Sequence, residues 1–160
     1  AGSERRALQT SRIVTFVDRD GDVRLIGAFL KTSLGDDAVD NFHLGATGNV
    51  MSLLDAETGR VERVLGAGEN GVITDVAVPI DPSTPPPGSF VPLWRESVDL
   101  AGAAARAFLP MRSLGWDVAA TPDGPVIVEA NMWWDPLLRP MPGFGRAAAG
   151  DAPAPTRKSR

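Results

Sequence analysis

The chain has 160 residues, enough for one domain with a real core and short for two. Its formal charge of -4 argues against a nucleic-acid partner, which would call for a basic surface, and the absence of cysteine removes disulfides, thiolate chemistry and cysteine-built zinc sites. No apolar run nears the roughly 20 residues of a membrane-spanning helix, and the opening residues do not read as a secretory leader, so a cytoplasmic location is expected.

Residues 1–11 are polar and are expected to form an N-terminal extension. From Arg12 to Val17 the chain is rich in β-branched and aromatic residues, Asp18 to Asp22 is a turn signal, and Val23 to Lys31 reads as the returning strand of a hairpin. Thr32 to Gly48 reads as a polar, glycine-punctuated loop. Asn49 to Leu54 and Arg60 to Leu65 form a second hairpin about the turn Asp55-Ala56-Glu57-Thr58-Gly59, and Val72 to Val78 is expected to add a short strand. The proline cluster from Asp81 to Gly88 excludes helix and central strand. Beyond Pro92, apolar residues at Trp94, Val98, Ala101, Ala105 and Phe108 have the three-and-four spacing of an amphipathic helix over Leu93 to Phe108, closed by Pro110. A third hairpin follows from Leu114 to Asn131, and the Ala, Gly and Pro after Pro140 read as a disordered tail over 141–160. The sum is an α+β domain, an antiparallel sheet of hairpins with one main packing helix, over residues 12–140.

The third hairpin carries the chemistry. Its turn, Thr121-Pro122-Asp123-Gly124-Pro125, suits a three-residue loop with Gly124 in the left-handed position. That loop sets Thr121 against Pro125 and Asp117 against Glu129. Alternation then places Trp116, Val118, Ala120, Val126, Val128 and Ala130 on a core face, and Gly115, Asp117, Ala119, Ile127, Glu129 and Asn131 on the other. Two carboxylates directly opposed on neighbouring strands repel unless something positive lies between them. A magnesium ion held by Asp117, Glu129 and the Asn131 amide oxygen would supply that charge, with Gly115 and Ala119 leaving room for a ligand. On residue types alone, a pair of solvated acids on an exposed face remains the competing reading.

Gly115-Trp116-Asp117-Val118, a short hairpin and then Gly124-Pro125-Val126-Ile127-Val128-Glu129-Ala130-Asn131 resembles the end of an ATP-grasp domain, within the sugar-transfer-associated group related to the α-L-glutamate ligases. Thr10-Ser11-Arg12-Ile13-Val14-Thr15, Val39-Asp40-Asn41-Phe42 followed by Gly45, Asp55 to Gly59, and Val91-Pro92-Leu93-Trp94 resemble further segments of that group, in the same order. The resemblance covers about Thr10 to Asp135 and implies the C-terminal lobe of such a domain. It implies Asp117, Glu129 and Asn131 as magnesium ligands, and ATP with a small-molecule carboxylate as partners. Arg12 would orient the phosphates and serve catalysis, while Lys31 and Asn41 would contact the nucleotide or substrate.

The chain departs from the group where no glycine-rich phosphate loop and no preceding lobe with its lysine are found. Gly115 stands where an arginine is usual, and Val78-Pro79 where the group tends to His-Pro. The expected role is the ATP- and magnesium-binding part of a carboxylate ligase working through an acyl phosphate. The alternative is a non-catalytic nucleotide- or partner-binding module, a truncated or degenerate ATP-grasp fragment. Rossmann and P-loop glycine patterns and a Gly-x-Ser-x-Gly elbow are missing. His43, alone of its kind, has no ligand cluster around it, and Trp133-Trp134 either walls the site or covers the core.

Overall fold

The computed structural model describes residues 8–34, 49–67, 72–76 and 82–134. The elements are β1 (Ser11–Val17), β2 (Val23–Thr32), β3 (Val50–Leu54), β4 (Val61–Ala67), β5 (Ile73–Asp75), α1 (Trp94–Ala107), β6 (Ser113–Thr121) and β7 (Gly124–Asn131). Among the described residues, the seven strands join one sheet in the order β5-β4-β3-β2-β1-β6-β7, antiparallel throughout. The expected α+β class and the three hairpins are therefore present. The strand expected over Val72–Val78 is shorter, at Ile73–Asp75, and Thr32 extends β2 instead of opening the loop. Residues 35–48 of that loop and the 141–160 tail lie outside the described residues.

Local chemistry explains the two tight turns on the β1–β4 side. Asp18 Oδ1 accepts from the N–H groups of Asp20 and Asp22 at 3.0 and 2.9 Å, an Asx-type turn that closes the β1–β2 hairpin. Between β3 and β4, Asp55 Oδ1 accepts from the Thr58 N–H and hydroxyl at 2.8 and 2.7 Å. Gly59 follows with φ 70°, and its bare Cα lies under the Trp94 ring, where a Cβ would collide. The proline-rich segment docks here through Val61 N–H to Ser89 O, Gly88 N–H to Val61 O and Val91 N–H to Gly59 O, at 2.8, 2.8 and 3.0 Å. A stretch that cannot be a central strand thus leads the chain from the β3–β4 hairpin to the start of α1.

Leu93, at the N-cap position just before α1, holds φ 52° and makes no side-chain cap, so a helix of 14 residues depends on packing to persist. Trp94, Ala101 and Ala105 enter a buried cluster with Ile13, Val17, Leu30, Leu114, Trp116 and Val118 on one sheet face. Burying a large apolar side chain is worth roughly 1.5–3 kcal/mol, which outweighs the missing cap of about 1 kcal/mol. Phe108, expected on the helix stripe, stands edge-on to Trp116 with ring centroids 5.3 Å apart. The opposite sheet face has its own buried apolar set, Val14, Phe29, Met51, Leu53 and Leu65, with Trp134 packed against it. That second face carries the residues singled out as a candidate site. Among the described residues, no helix is long and apolar enough to cross a membrane.

Candidate functional site

The β6–β7 hairpin reaches the expected opposition by a different route. Thr121 pairs with Gly124, Ala120 with Pro125 and Val118 with Ile127, so the connection is one residue tighter than the turn chemistry suggested. A register shift between Asp117 and Val118 then lets the chain skip Val128, and Asp117 faces Glu129. A β-bulge, not the turn, brings the acids together. The assignment of Val126 and Val128 to the core face is thereby corrected: they are 50% and 54% exposed, whereas Ile127 packs against the helix-side cluster. The physical reason is the period of two, since one extra residue reverses which side chains face the core.

Register extends this pair into a row across the sheet. Leu53 faces Arg63, Phe29 faces Leu53, Arg12 faces Phe29, Asp117 faces Arg12, and Glu129 faces Asp117. The centre of the row is charged. Asp117 is 3% exposed, and Arg12 Nε donates to its Oδ1 while Arg12 Nη2 donates to Oδ2 at 2.9 Å. The Lys31 ammonium donates to Oδ2 as well, at 2.9 Å. Burial alone would push the Asp117 carboxyl upward, but hydrogen bonds and charge from Arg12 and Lys31 prevail and hold it below the ordinary aspartate range. The positive charge that an opposed acid pair demands is thus supplied by Arg12 and Lys31.

Glu129 is exposed at the end of this row. With its amide turned to satisfy both neighbours, Asn131 donates to Glu129 Oε1 at 3.2 Å and accepts from Arg12 Nη2 at 3.2 Å. Arg12, Lys31, Asp117, Glu129 and Asn131 therefore form one connected cluster, while Asn41 lies outside the described residues. The Arg12 guanidinium also stands 5.9 Å from the centre of the Phe29 ring, which braces it from below. The sequence carried no distinctive signal for Phe29, because an aromatic residue in a strand is ordinary core.

Gly115 does not leave open space for a ligand as the sequence suggested. A Cβ there would lie 2.6 Å from Trp134 Cβ and 2.9 Å from Arg12 Cδ. The missing side chain makes room for the Arg12 stem and for Trp134, whose indole N–H donates to Ser113 Oγ at 2.8 Å. Trp133, 86% exposed, takes neither role considered for the pair, whereas Trp134 packs against the apolar cluster on the face that carries Arg12 and Asp117.

Among the described residues, no three His, Cys, Asp or Glu side chains converge as a metal cluster. Two carboxylates and an amide oxygen are nevertheless the hard donors that magnesium takes, commonly together with phosphate oxygens. The residues fit such an ion when it brings ligands of its own. A family model described as sugar-transfer associated ATP-grasp matches residues 3–143. No curated protein and no solved structure matches the chain.

Proposed function

The chain belongs to the sugar-transfer-associated ATP-grasp family, and from that premise we propose that the sheet face opposite α1 binds ATP and magnesium as part of a carboxylate ligase. One observation carries the reading. Arg12, Asp117 and Glu129 stand side by side in a single cross-strand row, with Lys31 and Asn131 bonded into it. Clustered cations and hard oxygen donors are what a polyphosphate with its counter-ion requires.

Arg12 and Lys31 would take phosphate oxygens, Arg12 through its planar fork and Lys31 as a point charge. Glu129, Asn131 and Asp117 would hold the magnesium ion, which offsets phosphate charge when bound. A substrate carboxylate oxygen would attack the γ-phosphorus and ADP would depart, leaving an acyl phosphate. An amine or similar nucleophile would then displace inorganic phosphate from the acyl carbon. These residues contribute positioning and electrostatics and form no covalent bond to substrate. The cytoplasm is the location this reading expects.

Calorimetric titration with magnesium and a non-hydrolysable ATP analogue tests the binding. Glu129→Gln should weaken it about tenfold or more, and unchanged affinity would remove the site. Phosphate release from ATP in the presence of candidate acids separates the ligase from a module that binds without turnover.

A further inference from the structure

Both oxygens of Asp117 are already engaged, by Arg12 on Oδ1 and by Arg12 and Lys31 on Oδ2. A divalent cation coordinated to either oxygen at about 2.1 Å would stand within a few ångströms of an ammonium or guanidinium group. At such separations like charges repel strongly, and at a site this buried little water screens them. Asp117 therefore cannot hold its two cationic side chains and a bare metal ion together. Glu129 differs, being exposed and bonded to the Asn131 amide. The cluster has an open outer end at Glu129 and a guarded inner part, where Arg12 engages both Asp117 and the Asn131 amide oxygen.

Resting on the nucleotide-binding reading above, we propose that Arg12 and Lys31 are specificity-determining residues that bar free metal ions from Asp117 and admit a metal only with a polyphosphate. Phosphate oxygens compete with Asp117 for the two cations. Once Arg12 and Lys31 turn to phosphate, the Asp117 oxygens are released to the accompanying metal, and the exchange keeps every charge opposed. The surroundings suit such a swing. Arg12 runs past the bare Cα of Gly115 and lies over the Phe29 ring, so its guanidinium keeps an apolar support when it leaves the carboxylate. No proton moves and no covalent bond changes.

The probe is Mn2+, followed as the metal retained with the full chain in equilibrium dialysis, with any tripolyphosphate present on both sides of the membrane so that the ion it chelates in solution is not counted. Wild type should bind Mn2+ alone weakly, and inorganic tripolyphosphate should tighten Mn2+ binding by about tenfold or more. Lys31→Met, with its fold checked by circular dichroism, should bind Mn2+ alone at least about tenfold more tightly than wild type. The tripolyphosphate effect should shrink in that variant. Arg12→Gln should move in the same direction and serves if Lys31→Met does not fold.

The proposal is overturned if wild type binds Mn2+ alone as tightly as the variants do. It is overturned equally if neither variant gains Mn2+ affinity. A gain of Mn2+ affinity in the variants, with no ATP analogue binding to wild type, would support the barrier and remove the nucleotide reading instead.

Discussion

Arg12 grips Asp117 across the β1–β6 ladder with two guanidinium nitrogens, 105 residues apart in the chain. Both side chains are nearly buried, and the carboxylate also holds Lys31. Removing one partner of a buried ion pair leaves an uncompensated charge, at a cost of about 3–5 kcal/mol. Asp117→Asn should therefore destabilise the fold by roughly 3 kcal/mol or more, read as a lowered urea midpoint with an unchanged slope. The contrast is the exposed Arg63–Asp75 pair, bonded at 2.8 Å through two nitrogens. Solvent screening should hold the loss for Asp75→Asn to about 1 kcal/mol or less.

Gly115→Ala tests the packing above the ion pair. The new methyl would press on Trp134 Cβ and Arg12 Cδ. Overpacking of this kind costs about 1–3 kcal/mol. The substitution should also alter tryptophan fluorescence, because Trp134 has to move. A variant with wild-type stability and spectrum would show that Trp134 does not sit over this glycine.

The Trp116 indole N–H donates to Thr15 Oγ1 at 2.8 Å, inside the helix-side core. Thr15→Val keeps the volume and removes the acceptor, leaving a buried donor unmatched. Loss of about 1–3 kcal/mol is expected in thermal or urea unfolding. A stability change near zero would mean that the indole N–H finds another acceptor.

The turn aspartate Asp55 governs an acid-sensitive term. Hydrogen bonds from the Thr58 hydroxyl and N–H hold its carboxyl below the ordinary value. A group depressed in the folded state stabilises above its unfolded value, near 3.9, and that contribution is lost as pH falls through the folded value. Asp55→Asn should thus lie below wild type at pH 7 by at most about 1 kcal/mol, given the exposure of the turn. The gap should close in melting curves taken well below pH 4. A gap that is constant with pH would assign the effect to the turn hydrogen bond alone.

Much of this fold is decided within short windows of sequence. The β-branched runs around Ile13 and Val61, the Asx turn at Asp18 and the Trp94–Ala101–Ala105 stripe specify strand, turn and helix through local backbone preference and periodicity. Asp117, Glu129 and Asn131 could be singled out because they share one hairpin. The bulge that skips Val128 could not, since it depends on Ile127 finding a place under α1.

The amino-acid sequence by itself determined the hairpins, the amphipathic helix and which residue types could bind a phosphate or a cation. Only the tertiary structure decided that Lys31, 86 residues from Asp117, and Arg12 would share that carboxylate. The reason is range. Propensity and turn chemistry act over a few residues, whereas the order β2-β1-β6 is settled by which strands bury their apolar faces together, and that order alone brings the charges into contact.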